Sequence, residues 1–252
     1  MFPPVETGLF KLEENKQDYY VTAGRFVSFK RLDLAVDAFT RMPDKKLIVV
    51  GDGPEMARLR AKAGPNIEFP GFQPPTVVRK YLAHARAFIF PSEEDFGIVP
   101  VEAQACGTPV IAFGSGGALE TVIGLDDVGA NGYPTGLFFD RQEPESLIEA
   151  IRHFENNEHR FIPRAISEHA ANFHPERFRG ELKWEIEAAL SQQNYKLKSR
   201  HVEKRSQVVI GATGTEDMET GARVEAMNGC LDNANLQRVI SDLCQQDFGL
   251  SV

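Results

Sequence analysis

Ala87-Phe-Ile-Phe-Pro-Ser-Glu-Glu-Asp-Phe-Gly-Ile-Val-Pro-Val-Glu-Ala-Gln-Ala-Cys-Gly-Thr-Pro-Val110 decides the fold. Its four leading apolar residues, Ala87–Phe90, read as a short strand buried on both faces. Pro91 to Gly97 form a polar loop, a helix follows over Val99–Ala105, and Val110–Ala112 starts the next strand. Successive short apolar strands joined through a helix run parallel, because the crossover brings the chain back to the same edge. Working outward, the same alternation holds on both sides. Strands are predicted at Tyr19–Ala23, Leu47–Val50, Ile67–Phe69 and Leu137–Phe139, with helices at Leu32–Met42, Glu55–Ala63 and Val77–Ala85. The pattern is that of an α/β, doubly wound parallel sheet, in which ligands bind beyond the carboxyl ends of the strands. Beyond Asp140 the strand signal fades. Helices are predicted at Pro144–Phe154, Pro163–Asn172 and Pro175–Leu190, each opening on a proline suited to a first helical turn. Residues 191–252 are expected to be a poorly structured extension: Gln192–Arg205 is polar and basic, Val208–Gly221 is rich in Gly and Thr, and Asn235–Cys244 offers one weak helix.

Composition narrows the function. A net charge of −8 over 252 residues argues against a nucleic-acid binder, which needs a basic field. No apolar run approaches the roughly 20 residues that cross a bilayer. Met1–Glu6 lacks the basic and apolar regions of a secretory signal. The three cysteines, Cys106, Cys230 and Cys244, are too few and scattered for a disulfide framework or metal site, and no metal is expected. The expected setting is reducing and cytoplasmic, with attachment at the inner membrane face as an extension of that reading.

The chemistry-bearing residues lie at strand ends. Gly97 permits a tight turn, and a helix starting near Ile98 aims the amides around Gly97, Ile98 and Val99 at an anion. Glu94 lies in the loop and Glu102 about one turn into the helix, both near one crevice. Carboxylates accept strongly from sugar hydroxyls. An isolated pair of this kind is also consistent with a loop acid and a solvated helix face. After the first strand, Gly24 allows the turn, and Arg25 and Lys30 supply two cations suited to phosphate oxygens or to a solvated surface. Arg31 is a further cation with no assigned role. Gly51 and Gly53 fit a βα turn, with Met56 where a dinucleotide fingerprint needs its third glycine. Phe72 suits either stacking on a base or a place in the core or rim. The six histidines and Cys106 read as structural or surface residues.

Taken in order, Pro91-Ser92, Glu94-Asp95-Phe96-Gly97-Ile98-Val99, Glu102-Ala103 and Ala105-Cys106-Gly107-Thr108-Pro109-Val110 resemble the Glu-x7-Glu signature of family-four retaining glycosyltransferases of the GT-B fold. Gly24-Arg25 with Lys30 resembles that family's Gly-Arg-x4-Lys element, and Gly51-Asp-Gly53-Pro54 its nucleotide-side turn. Gly114–Glu120 resembles the segment beside the donor sugar, and Asn131-Gly132 the turn into the last strand. The resemblance covers roughly residues 2–190, and Glu93–Pro100 is similar to bacterial polysaccharide mannosyltransferases. It implies a Rossmann-like donor-binding half over 18–190, preceded by an interdomain-linker-like segment over 1–17.

By that resemblance the chain is expected to use a nucleotide-diphosphate sugar as donor substrate, without a cofactor, and to transfer a hexose with retention; mannose from GDP-mannose is favoured. Glu94, Arg25 and Lys30 are the expected catalytic residues. Donor contacts are expected from Gly24, Arg25, Lys30, Gly51, Gly53, Phe72, Glu94, Phe96, Gly97, Ile98, Val99 and Glu102. An acceptor-binding domain, expected to precede the linker in a complete member, is absent from this chain, so a separate partner domain or self-association is expected. Three readings stay open: a split transferase active on assembly, an inactive nucleotide-sugar-binding module, and an epimerase or phosphorylase sharing the fold.

Overall fold

The computed structural model describes residues 1–128 and 132–191. The expected extension beyond residue 191, including its helix at Asn235–Cys244, and Asn131 of the expected turn lie outside the described residues. Phe2–Phe178 form one compact unit; a second unit takes in Arg179 onward. Residues 175–191 are helical (α8).

The sheet has six strands: β1 (Tyr20–Ala23), β2 (Leu47–Val50), β3 (Ile67–Gly71), β4 (Ala87–Phe90), β5 (Val110–Phe113) and β6 (Gly136–Phe139). Their order is β3-β2-β1-β4-β5-β6, and every pairing is parallel. Helices α1 (Leu32–Thr40), α2 (Met56–Lys62), α3 (Pro75–His84), α4 (Ile98–Ala105), α5 (Ala118–Thr121), α6 (Pro144–Asn157) and α7 (Pro163–Ala170) connect and follow the strands. All six expected strands are present. β3 runs two residues past its expected end, through Pro70, which an edge strand tolerates because its outer N–H groups have no ladder partner.

Period-two alternation splits the strand residues between two cores. Leu47 and Val49, Ala87 and Ile89, and Leu137 and Phe139 join a core with Leu34, Val36 and Phe39 of α1 and Leu147, Ile151 and Phe154 of α6. Their neighbours Ile48, Val50, Phe88, Phe90, Val110 and Ala112 join Leu82, Ala103 and Ala118 on the opposite face. Burying a large aliphatic or aromatic side chain contributes about 1.5–3 kcal/mol, so a one-residue slip in any inner strand is strongly disfavoured. A third cluster seats the N-terminal segment: Phe2 and Val5 meet Phe96, Val101, Ala105, Ala170 and Phe173, and the Val5 amide donates to the Phe173 carbonyl at 2.9 Å.

Two polar clamps fix the frame away from the strand C-termini. The Lys16 ammonium donates to the Ala83 and Cys106 carbonyls and to Thr108 Oγ1, at 2.7–3.0 Å, beside the C-terminal ends of α3 and α4. Burial pushes its pKa down to about 8, while the three acceptors and the helix dipoles favour the cation. At the other clamp, Arg86 reaches Glu155 and Glu158 of the α6 end, and Tyr20 and Lys45 also donate to Glu155. The N-terminal edge of the sheet is thereby tied to α6. Among the described residues no helix is long and apolar enough to cross a membrane.

Candidate functional site

Strand order reverses direction between β1 and β4: the chain winds outward through β2 and β3, then restarts at β4 and winds the other way. The loops leaving β1 and β4 therefore part in opposite directions and leave a crevice above the carboxyl end of the sheet. Lys30 follows β1 and Glu94 follows β4. Their side chains meet across that crevice, Lys30 Nζ donating to Glu94 Oε2 at 2.7 Å. Ser92, which is buried, donates its hydroxyl to Glu94 Oε1 at 2.6 Å. The Gly117 amide donates to the Glu94 backbone carbonyl at 2.7 Å. Glu94 is thus fixed from β1, from its own loop and from the loop after β5.

Arg25 is exposed and, among the described residues, makes no side-chain hydrogen bond or ion pair, so this cation is free to meet an anion. Gly97, at φ 83°, caps α4, and the first-turn amides of α4 carry no side-chain cap. Ile98 is exposed there and Val99 half-buried. Phe72, directly after β3, is 70% exposed and so sits on the rim rather than in the core. Phe96 belongs elsewhere. Its ring is buried against Phe2 and Phe173, so the side chain holds the Asp95–Gly97 loop down instead of facing the crevice.

Gly51 and Gly53 act on the β1 loop. A methyl at Gly53 would lie 2.6 Å from the Phe26 carbonyl oxygen, and one at Gly51 would collide with Gly24. The absent side chains let the β2 turn press against the backbone that carries Arg25 and Lys30. Glu120 is exposed on α5 and takes no part in these contacts. No group of three or more His, Cys, Asp or Glu residues among those described is arranged to hold a metal.

Glu102 lies on α4, within electrostatic reach of Arg79 on α3. Burial pushes its carboxyl from 4.5 up to about 6, against the opposing pull of Arg79. Desolvation outweighs the nearby cation because no hydrogen bond from the described residues compensates it. Between pH 4.5 and about 6 the native chain holds a proton that the unfolded chain has released. Stability from this group is therefore present at low pH and falls as pH rises through that window, by about 2 kcal/mol. Glu102→Gln is expected to remove that slope. Denaturant unfolding of both chains at pH 4.5, 5.5 and 7 reads it directly, and a constant difference between them at all three values would refute the burial argument.

Ser92 and Gln142 were not assigned roles from sequence. Ser92 sits inside the recognised motif, and Gln142 lies just past a strand end; position at the carboxyl edge was the available signal for both.

The glycosyl transferases group 1 family model matches residues 6–173. The GDP-mannose-dependent monoacylated alpha-(1-6)-phosphatidylinositol monomannoside mannosyltransferase of Corynebacterium glutamicum is 32% identical over 177 residues, covering 64% of this chain and 42% of that protein. The GDP-mannose-dependent alpha-(1-6)-phosphatidylinositol dimannoside mannosyltransferase of Mycobacterium tuberculosis is 33% identical over 139 residues, covering 52% of this chain and 34% of that protein. This chain therefore spans less than half the length of these curated relatives. Among solved structures, sucrose-phosphate synthase from Thermosynechococcus elongatus superposes with a TM-score of 0.62 at 26% identity, covering 74% of this chain and 52% of that one. The family model covers two thirds of the sequence, and the chain belongs to the group 1 glycosyl transferases.

Proposed function

We propose that this chain is the donor-binding half of a retaining hexosyltransferase and binds a nucleoside-diphosphate sugar in the crevice between β1 and β4. The observation that carries the reading is the Lys30–Glu94 pair spanning that crevice, with Arg25 exposed on the same β1 loop. GDP-mannose is the favoured donor, supported by the GDP-mannose dependence named for the two actinobacterial relatives. In this reading Lys30 and Arg25 meet the diphosphate, and the first-turn amides of α4 add fixed dipoles where negative charge develops on the leaving group. Glu94 accepts from donor-sugar hydroxyls. Glu102, a desolvated carboxylate lacking hydrogen-bond donors, accepts from the ribose hydroxyls. Transfer breaks the bond from the anomeric carbon to the β-phosphate oxygen. The acceptor oxygen bonds the same carbon from the same face, and its proton passes to the departing phosphate. The acceptor is held by a domain outside this segment.

Titration calorimetry with GDP and UDP on the whole chain tests the binding step. Binding of GDP in preference to UDP is expected, weakened by about 1–3 kcal/mol in Glu102→Ala. A chain that takes up neither nucleotide removes the donor-site reading. Product analysis with labelled GDP-mannose, with and without an added acceptor domain, then separates transfer from binding alone.

A further inference from the structure

Arg31 departs from the usual rules of backbone conformation. It adopts φ 50°, ψ 33°, the left-handed region, and among the described residues it alone does so without being glycine. That conformation costs an ordinary residue about 1–2 kcal/mol and persists where surrounding contacts hold it in place. The contacts are specific. Arg31 Nη1 donates to Gln142 Oε1 at 2.8 Å and Nη2 to the Gln142 carbonyl at 3.3 Å, while Nε faces Asp33 at 3.4 Å. Gln142 in turn donates its amide to the Pro91 carbonyl at 2.9 Å. Pro91 adjoins Ser92, whose hydroxyl holds Glu94, and Glu94 accepts from Lys30, the neighbour of Arg31.

These contacts close a ring: Lys30, Arg31, Gln142, Pro91, Ser92, Glu94 and back to Lys30. It crosses the carboxyl ends of β1, β6 and β4, and each of the three Arg31 guanidinium nitrogens donates to Gln142 or Asp33. We propose that Arg31 is a positioning residue that, acting through the uncharged Gln142, sets the separation of the Lys30 ammonium and the Glu94 carboxylate and so preorganises the site for a nucleoside diphosphate. The inference rests on the donor-site reading given above. Arginine suits the task because its planar fork presents two separate nitrogens, one to a side-chain and one to a backbone acceptor of the same residue, in a fixed geometry that the single nitrogen of a lysine does not reproduce.

Three variants of the whole chain test it, with GDP as the calorimetric probe. Arg31→Gly removes the side chain and suits the positive φ, so folding is preserved. Arg31→Lys keeps the charge without the fork, and Gln142→Ala leaves every charge in place. Each is expected to weaken GDP binding about five- to tenfold, the scale of one lost net hydrogen bond. The Arg31→Gly/Gln142→Ala double variant is expected to be no weaker than either single, because both cut the same ring. Hydrogen exchange on the ligand-free chain supplies a second readout: amides of residues 92–97 are expected to exchange faster in every variant. Wild-type affinity in Gln142→Ala, full rescue by Arg31→Lys, or losses that multiply in the double variant would overturn the proposal. Should the unmodified chain bind neither GDP nor UDP, the donor-site reading falls. The exchange data then decide the brace alone, and unchanged exchange at 92–97 refutes it.

Discussion

Lys30→Ala is expected to weaken GDP binding by about 2–3 kcal/mol, roughly 30- to 150-fold, while leaving the unfolding midpoint close to that of the unmodified chain. The magnitude has two parts. A charge-assisted hydrogen bond to a phosphate oxygen contributes about 1.5–3 kcal/mol net. Removing the ammonium also leaves Glu94 ionised without its cation, so a carboxylate faces the incoming diphosphate. Stability changes little because Lys30 is one-quarter exposed and pairs with Glu94 at a solvent-facing crevice, where ion pairs contribute about 0–1 kcal/mol. The measurement is calorimetry of GDP against both chains, alongside denaturant unfolding. Equal affinities would show that the anion, if bound at all, lies away from the β1–β4 crevice. Arg25→Ala is the useful comparison: Arg25 has no side-chain partner among the described residues, so its removal strands no buried charge there and should cost less.

The crevice was legible from sequence because strand ends are legible. Ala87–Phe90 and Leu47–Val50 begin and end where expected, and a doubly wound sheet places whatever follows each strand at its carboxyl edge. Lys30 and Glu94, 64 positions apart, were therefore brought together by topology alone. Residues whose setting depends on distant chain were not legible. Phe96 was expected as a donor contact because it belongs to the recognised motif, but its ring packs with Phe2 and Phe173 from segments far along the chain. Gln142 reaches back 111 positions to Arg31 and 51 to Pro91, a pairing that no local period encodes. Arg31 itself read as a spare cation, since its left-handed backbone is imposed by that tertiary brace rather than by its residue type. Glu102 was expected near the same crevice as Glu94; its burial on α4 beside Arg79 was not legible from its spacing to Glu94.

The most damaging single methyl should be the one added by Gly51→Ala. Gly51 has φ +133°, outside the conformations alanine adopts readily, and its amide donates to the Gly71 carbonyl at 3.1 Å, which fixes its orientation. The new methyl would overlap the Gly24 carbonyl and meet the Phe26 ring at 3.0 Å. Neither neighbour has freedom to yield. The Gly24 amide is bonded to the Val50 carbonyl at 3.0 Å, and Phe26 is fully buried. Backbone strain of about 1–2 kcal/mol and overpacking of about 1–3 kcal/mol together give a loss of about 2–5 kcal/mol. In a domain of this size that lowers the melting temperature by roughly 5–15 °C. Gly8→Ala is the control, because its added methyl comes no closer than 3.6 Å to any neighbour, and there the midpoint should stay within about 0.5 kcal/mol of the unmodified chain. The consequence also reaches the site. The only relief open to Gly51→Ala is to push Gly24–Phe26 away from β2, carrying Arg25 and Lys30 off the Glu94 side of the crevice. GDP affinity measured well below the lowered melting temperature should then fall with stability. If Gly51→Ala unfolds with Gly8→Ala and binds GDP normally, the close approach of the β1 and β2 loops is not what holds the cations in place.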